Sequence, residues 1–207
     1  MLGLAALGLA AAPNYDRIID QARERYGARG AQVMQAWREQ ISGLRQASVE
    51  EQIRRVNEFV NRRVLFGTDA DIWGQKEYWA TPLETLGRGA GDCEDYAIAK
   101  YISLRLLGVG NDKLRMTYVK ARIGGPRSSI TEAHMVLGYY PSADAEPYIL
   151  DNLIGDIRQA SERPDLTPVF GFNSEGIWTG VAAGASPAGS ATARLSRWRD
   201  VIARLQA

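Results

Sequence analysis

The chain has one cysteine and one histidine, and both sit in chemically suggestive surroundings. Cys93 lies in Gly91-Asp92-Cys93-Glu94-Asp95-Tyr96, with three carboxylates around it and an apolar run to Leu107 behind it. Asp92 suits a helix N-cap, because its side chain can accept hydrogen bonds from the free N–H groups of a first turn. Cys93 then stands at a helix N-terminus, where the helix dipole favours the thiolate, the reactive form. If the nucleophile uses an imidazole base from this chain, that base is His134. Asp151 completes the set needed by a cysteine protease or amide-transferring enzyme: a thiolate, an imidazole that takes and returns a proton, and a group that orients the imidazole. Taken singly, each residue has a plainer reading. A cysteine is often a small buried hydrophobe, a strand histidine is often structural, and an aspartate at a strand end often makes a turn. Their joint arrangement is much less expected by chance and argues for cysteine chemistry.

Asp92, Glu94 and Asp95 pull the other way, since like charges beside a thiol oppose its ionisation. A bound hard cation would reverse that penalty, and calcium accepts several carboxylate and carbonyl oxygens in flexible geometry. The spacing is not that of an EF-hand loop. An acidic first helical turn, favoured by the dipole, is the alternative.

Several elements must position these groups. Tyr15 to Val64 has helical periodicity in more than one segment, with a break near Gly27–Gly30 and a capping-box pattern at Ser48 and Glu51. Phe66 to Gly91 is less regular and predicts a long ordered loop with one short helix near Leu83–Leu86. Cys93–Leu107 is apolar enough to be a mostly buried helix, ended by Gly108. Strands follow at Leu114–Lys120, His134–Tyr140 and Tyr148–Asp151. His134 and Asp151 can lie opposite each other if a tight turn brings Tyr140 near Ala145. A longer turn would need a bulge to keep them on one face.

At 207 residues, with 45% hydrophobic and 24% charged content, the chain is long enough for one domain with a substantial core. A net charge of +1 points to neither nucleic acid nor an anionic membrane. The single cysteine excludes an internal disulfide. Residues 1–12 are apolar, too short to span a bilayer, and similar to the core of a secretory signal, with Ala10-Ala11-Ala12 offering small residues for cleavage. No basic residue precedes the run and Pro13 follows it. The domain is expected over residues 13–183, followed by a Gly/Ala/Ser/Pro spacer from Gly184 to Ser190. An amphipathic helix over Ala193–Leu205 then closes the chain. It presents Leu195, Trp198, Ile202 and Leu205 on one face and is expected to dock on its own domain in preference to a partner or a membrane.

Four blocks carry a family resemblance: Trp79-Ala80-Thr81-Pro82, Gly89 through Tyr101, Glu132 through Leu137, and Leu150-Asp151-Asn152. Together they resemble the bacterial transglutaminase-like cysteine proteases of the LapG type, over roughly Tyr15 to Trp178. The resemblance implies an α+β fold with a papain/transglutaminase-like core: N-terminal helices and a central catalytic helix packed on an antiparallel sheet. It implies Cys93 as nucleophile, His134 as base and Asp151 as orienter. It also implies a requirement for Ca²⁺, with Asp92 and Glu94 as ligands and Asp95 as a further candidate. Proteases of this type act in the periplasm. They clip the N-terminal region of a very large surface adhesin near a pair of alanines, which releases the cell from a biofilm. An inner-membrane receptor that senses cyclic di-GMP holds them inactive. Acyl transfer to an amine by the same triad, as in a transglutaminase or amidase, is the alternative within enzymes. A binding module that kept the fold is the alternative outside them.

Overall fold

The computed structural model describes residues 13–179 and 188–206; the apolar leader and most of the expected spacer lie outside them. Two long helices open the fold. Helix α1 spans Tyr15–Leu44, capped by the Asn14 side chain, and is broken at Gly27, whose φ of 72° lies in the left-handed region that glycine tolerates. Helix α2 spans Val49–Arg63, and Ser48 Oγ accepts the Glu51 N–H at 3.3 Å. Only half of the expected capping box forms there, because the Glu51 carboxylate instead binds Arg54 at 2.7 and 2.9 Å.

Residues 65–91 are more structured than their sequence suggests. Strand β1 (Leu65–Phe66) pairs in parallel with β2 (Ala90–Gly91). Between them lie helix α3 (Asp69–Trp73), capped by Thr68 and ended by left-handed Gly74, and helix α4 (Pro82–Arg88). Thr81-Pro82 starts α4 for clear local reasons. The Glu84 carboxylate accepts the Thr81 N–H at 2.7 Å, Thr81 Oγ1 accepts the Glu84 N–H at 3.4 Å, and proline supplies a first helical residue that needs no N–H partner.

Helix α5 (Cys93–Leu106) is buried along nearly its whole length, from Asp95 to Leu104. It packs against α2 on one side and the main sheet on the other, which explains its all-round apolar sequence. Trp37 of α1 donates to Ser103 of α5 at 2.8 Å and ties the helical layer together.

Among the described residues the sheet is antiparallel, with six strands where three were expected. These are β3 (Leu114–Arg122), β4 (Thr131–Tyr139), β5 (Tyr148–Leu150), β6 (Arg158–Gln159), β7 (Leu166–Phe172) and β8 (Ile177–Thr179), in the order β6-β5-β4-β3-β7-β8. Strand β7 tolerates Pro168 at a register irregularity between Tyr118 and Val119 of β3, where a regular ladder is already interrupted. Met116, Met135, Leu137, Leu150 and Phe172 join the core under α5, while Val119, Val136 and Ile149 form a small separate cluster.

Helix α6 (Ala188–Gln206) begins five residues before the expected start, within the stretch assigned to the spacer. It docks on its own domain, as its amphipathic pattern requires. Trp198 and Val201 are fully buried. The Trp198 ring meets Tyr101 and Phe172 edge-on, at centroid separations of 5.3 and 6.3 Å. Arg204 forms a second attachment, donating to Glu84 Oε2 at 2.5 Å, to Tyr78 Oη at 3.0 Å and to the Trp79 carbonyl at 2.5 Å.

Arg204→Ala removes these charge-assisted bonds from a partly shielded site. It should cost about 2 kcal/mol, read as a melting-temperature drop of about 4–8 °C by calorimetry. An unchanged melting temperature would show that α6 is held without this attachment, by its apolar face and Arg197.

Candidate active site

The site is built at the start of α5. Asp92 is extended, and its Oδ1 accepts the N–H groups of Glu94 at 3.1 Å and Asp95 at 3.4 Å, the capping role that its position suggests. Cys93 is the first helical residue and is half-buried. Its thiol donates to Glu94 Oε2 at 2.7 Å, and Tyr118 Oη donates to the other oxygen of the same carboxylate at 2.8 Å. Helix α5, which Cys93 opens, packs on β4, the strand that carries His134. Burial pushes the Cys93 thiol strongly upward, and the charges of Glu94 and Asp92 and the bond to Glu94 add to the effect. The dipole's preference for thiolate is therefore outweighed in this state, and the sulfur keeps its proton.

His134 and Asp151 meet. Nε2 of the buried imidazole lies 2.7 Å from Asp151 Oδ1, which leaves Nδ1 as the ring nitrogen for proton exchange with sulfur. The route differs from the expected one. Tyr139 pairs with Tyr148 and Leu137 with Leu150, so Asp151 follows on level with Val136, two residues along from His134. A two-residue offset preserves the face of a pleated strand, so the longer turn over residues 140–147 needs no bulge in this pair.

Asp151 is a fully buried hub. Besides His134, its carboxylate accepts Arg163 Nη2 at 2.7 Å and the Leu153 N–H at 3.1 Å, while Asn61 holds its backbone carbonyl at 2.8 Å. Burial alone would raise the Asp151 carboxyl; the bonds from His134 and Arg163 reverse this and hold it well below the usual carboxylate range. Arg163 is itself 2% exposed and also grips Asp165. Nothing in its local sequence marks it, since its role depends on a carboxylate twelve positions away in the chain. Lys100 of α5, also buried, faces the same anion; burial pulls it down to about 7 despite the Asp151 charge.

The remaining carboxylates gather beside the thiol. Asp69, Asp92 and Asp95 each offer an oxygen within 4.8 Å of the others, and Asp92, Cys93 and Glu94 form a second such group. Asp69 falls in the stretch whose sequence predicts an ordered loop; α3 carries it to the cluster. Backbone donors from one short segment fix two of the three aspartates. The Tyr78 N–H binds Asp69 at 2.6 Å and the Ala80 N–H binds Asp95 at 2.7 Å. A Cβ on Gly91 would stand 2.7 Å from Asp95 Cβ, which accounts for glycine at that place in the motif. Burial, and then the neighbouring carboxylates, push Asp92 up to about 9; burial likewise pushes Asp95 up to about 7 and raises Asp69. Asp69 Oδ1 is buried with no hydrogen-bond partner among the described residues. An orphan oxygen among crowded hard ligands fits a divalent cation with oxygen preference. Glu94 adjoins this cluster, but its two oxygens are engaged by Cys93 and Tyr118.

Residues 28–165 match the family model of the bacterial transglutaminase-like cysteine proteinases. No curated protein matches the chain significantly. Among solved structures, LapG of Legionella pneumophila is similar at 35% identity and a TM-score of 0.75, over 93% of this chain and 98% of that one. A calcium-bound form of the same protein is similar at 36% identity and a TM-score of 0.76, covering 93% of this chain and 99% of that one. An EGTA-treated form, at 36% identity and a TM-score of 0.76, covers 93% and 98%. With the family model spanning most of the chain and this likeness nearly end to end, the chain belongs to the bacterial transglutaminase-like cysteine proteinases.

Proposed function

We propose that this protein is a calcium-dependent cysteine endopeptidase of the periplasm. It cleaves the N-terminal region of a large surface adhesin near a di-alanine site and releases cells from a biofilm. An inner-membrane receptor that senses cyclic di-GMP restrains it. One observation carries the catalytic part: His134, on the strand against which the Cys93 helix packs, is paired at 2.7 Å with a buried, ionised Asp151. The adhesin, its cleavage site and the receptor rest on the LapG-type motif blocks and on the likeness to LapG itself.

The proposed chemistry follows from these groups. Asp151 receives the Nε2–H, so Nδ1 of His134 accepts the thiol proton. The sulfur then attacks the scissile carbonyl carbon, and the carbonyl electron pair moves to oxygen, where the Cys93 N–H is a suitable donor. The imidazolium, steadied by Asp151, returns the proton to the departing amine as the C–N bond breaks. Water, deprotonated by His134, resolves the thioester and frees the thiol. Before the first step, the thiol must leave Glu94, which competes with His134 for its proton.

Asp69, Asp92 and Asp95, with Glu94 adjoining, are the residues that would hold the metal. Calcium bound there supplies positive charge against the carboxylates that disfavour the thiolate.

Cys93→Ala should fold normally and lose on the order of 10⁶ in kcat, with His134→Ala about as damaging and Asp151→Asn less so. Cleavage of a LapG-type adhesin fragment, followed by gel, checks this; near-normal cleavage by Cys93→Ala would end the cysteine-enzyme reading.

Chelation should abolish activity, Ca²⁺ should restore it, and Mg²⁺ should substitute poorly because it demands tighter octahedral geometry. Glu94→Ala should weaken this response without disturbing the helix cap. Full activity of that variant together with chelator tolerance of the wild type would sink the metal reading.

The metal-free protein should also lose stability as pH rises. Asp92 and Asp95 hold protons in the folded state, up to about 9 and about 7, that the unfolded chain releases near 4. Their contribution is complete below about pH 4 and is lost progressively as pH rises through these folded values. Melting curves between pH 5 and 9 should show a falling midpoint without metal and a growing increment from added Ca²⁺. A flat metal-free profile would contradict the crowding of these carboxyls.

A further inference from the structure

Leu65 and Phe66 are the most exposed large apolar residues among those described, at 74% and 63%. Scattered surface hydrophobes are ordinary, but these two are adjacent, form a strand, and pair with the segment that leads into Cys93. The Leu65 N–H donates to Gly89 O at 2.9 Å and the Gly67 N–H to Gly91 O at 3.2 Å, which fixes β1 on β2. In a parallel pair, alternate residues face the partner strand. The Phe66 N–H and C=O therefore point to the opposite edge, and among the described residues β1 pairs with no other strand.

This edge is tied to the catalytic residues from both sides. Gly91, the register partner of Phe66, lies two residues before Cys93, about 7 Å of extended chain. Asn61, four residues before Leu65, binds the Asp151 carbonyl at 2.8 Å. Leu153, 48% exposed, adds an apolar side chain from the segment bonded to Asp151 Oδ1. An open strand edge with apolar side chains on it, on a strand whose partner runs into the nucleophile, is suited to an extended polypeptide. The backbone of such a chain satisfies the free N–H and C=O, and its apolar side chains cover the exposed ones.

On the endopeptidase reading above, we infer that β1 is a substrate-binding edge. The scissile segment adds to it as a strand on the Phe66 backbone, and Leu65, Phe66 and Leu153 form subsites that select apolar residues within about three positions of the cleaved bond.

The test uses the full chain with Ca²⁺ and an internally quenched peptide library. The wild type should favour apolar residues at one or two positions near the cleaved bond. Leu65→Asp and Phe66→Asp should lower kcat/KM for the best apolar peptide roughly 10- to 100-fold, mainly through KM, and shift the preference toward Lys or Arg there. Phe66→Leu should retain the wild-type preference. N-methylation of the peptide at the amide that pairs with the Phe66 carbonyl should weaken binding to Cys93→Ala protein. Both substitutions are on the surface, so the melting temperature and the rate of Cys93 alkylation by iodoacetamide should match wild type. Wild-type kcat/KM and preference in both Asp variants would overturn the inference while leaving the endopeptidase reading standing. A wild type that alkylates normally but cleaves no peptide would overturn the endopeptidase reading and this inference with it.

Discussion

Negative charge crowded at the head of α5 is the constraint around which the rest of the molecule is arranged. Asp69, Asp92 and Asp95 converge within 4.8 Å, and Asp69 and Asp95 are buried. The helix N-terminus offsets part of the repulsion, with the Glu94 and Asp95 N–H groups bound to Asp92. The Tyr78 and Ala80 N–H groups offset more. That requirement explains why residues 65–91 are ordered. Helix α3 delivers Asp69, the capping box at Thr81 stops the segment in place, and Trp79 stacks on Phe172 with centroids 5.7 Å apart. Arg204 of α6 then holds the same segment from outside.

The same residue type serves opposite electrostatic ends a short distance apart. Asp151 is buried among donors and one guanidinium, and stays ionised. Asp92, half-buried, and Asp95, buried, sit among their own kind and hold protons. Environments that drive like groups apart in this way separate charge-stabilising from charge-storing roles. Here the ionised member steadies the imidazole, while burial and the adjoining Glu94 keep the thiol protonated beside the crowded members.

What could be read in the sequence was whatever depends on near neighbours or on period. The Asp92 cap, the break at Gly27, the buried run from Cys93, the strand at His134 and the docking face of α6 are of that kind. Helix α3 was missed because five residues are too few to show a period, although Thr68 and Gly74 bracket them. Strand β7 was hidden by Pro168, which reads as a strand breaker unless the irregular register opposite it is known. Asp69 and Arg163 had no local signal at all. Their partners are brought to them by tertiary packing, and only the assembled fold shows that one faces the acidic cluster and the other the Asp151 carboxylate. Of the two turns open between β4 and β5 the longer one forms, and because it shifts the pairing by two residues it keeps one face without the bulge expected of it.

The Arg204 attachment also bears on the order in which the protein acquires its shape. It joins positions 126 residues apart in the chain, from α6 to Tyr78. Contacts of such separation carry a large loop-closure cost and are slow to form. The segment that aims Asp69 and Asp95 is therefore expected to gain its last restraint late, after the α1, α2 and α5 layer has condensed through nearer contacts. A folding intermediate with a finished helical layer would still carry a loosely aimed acidic cluster. Catalytic competence would thus trail the acquisition of secondary structure.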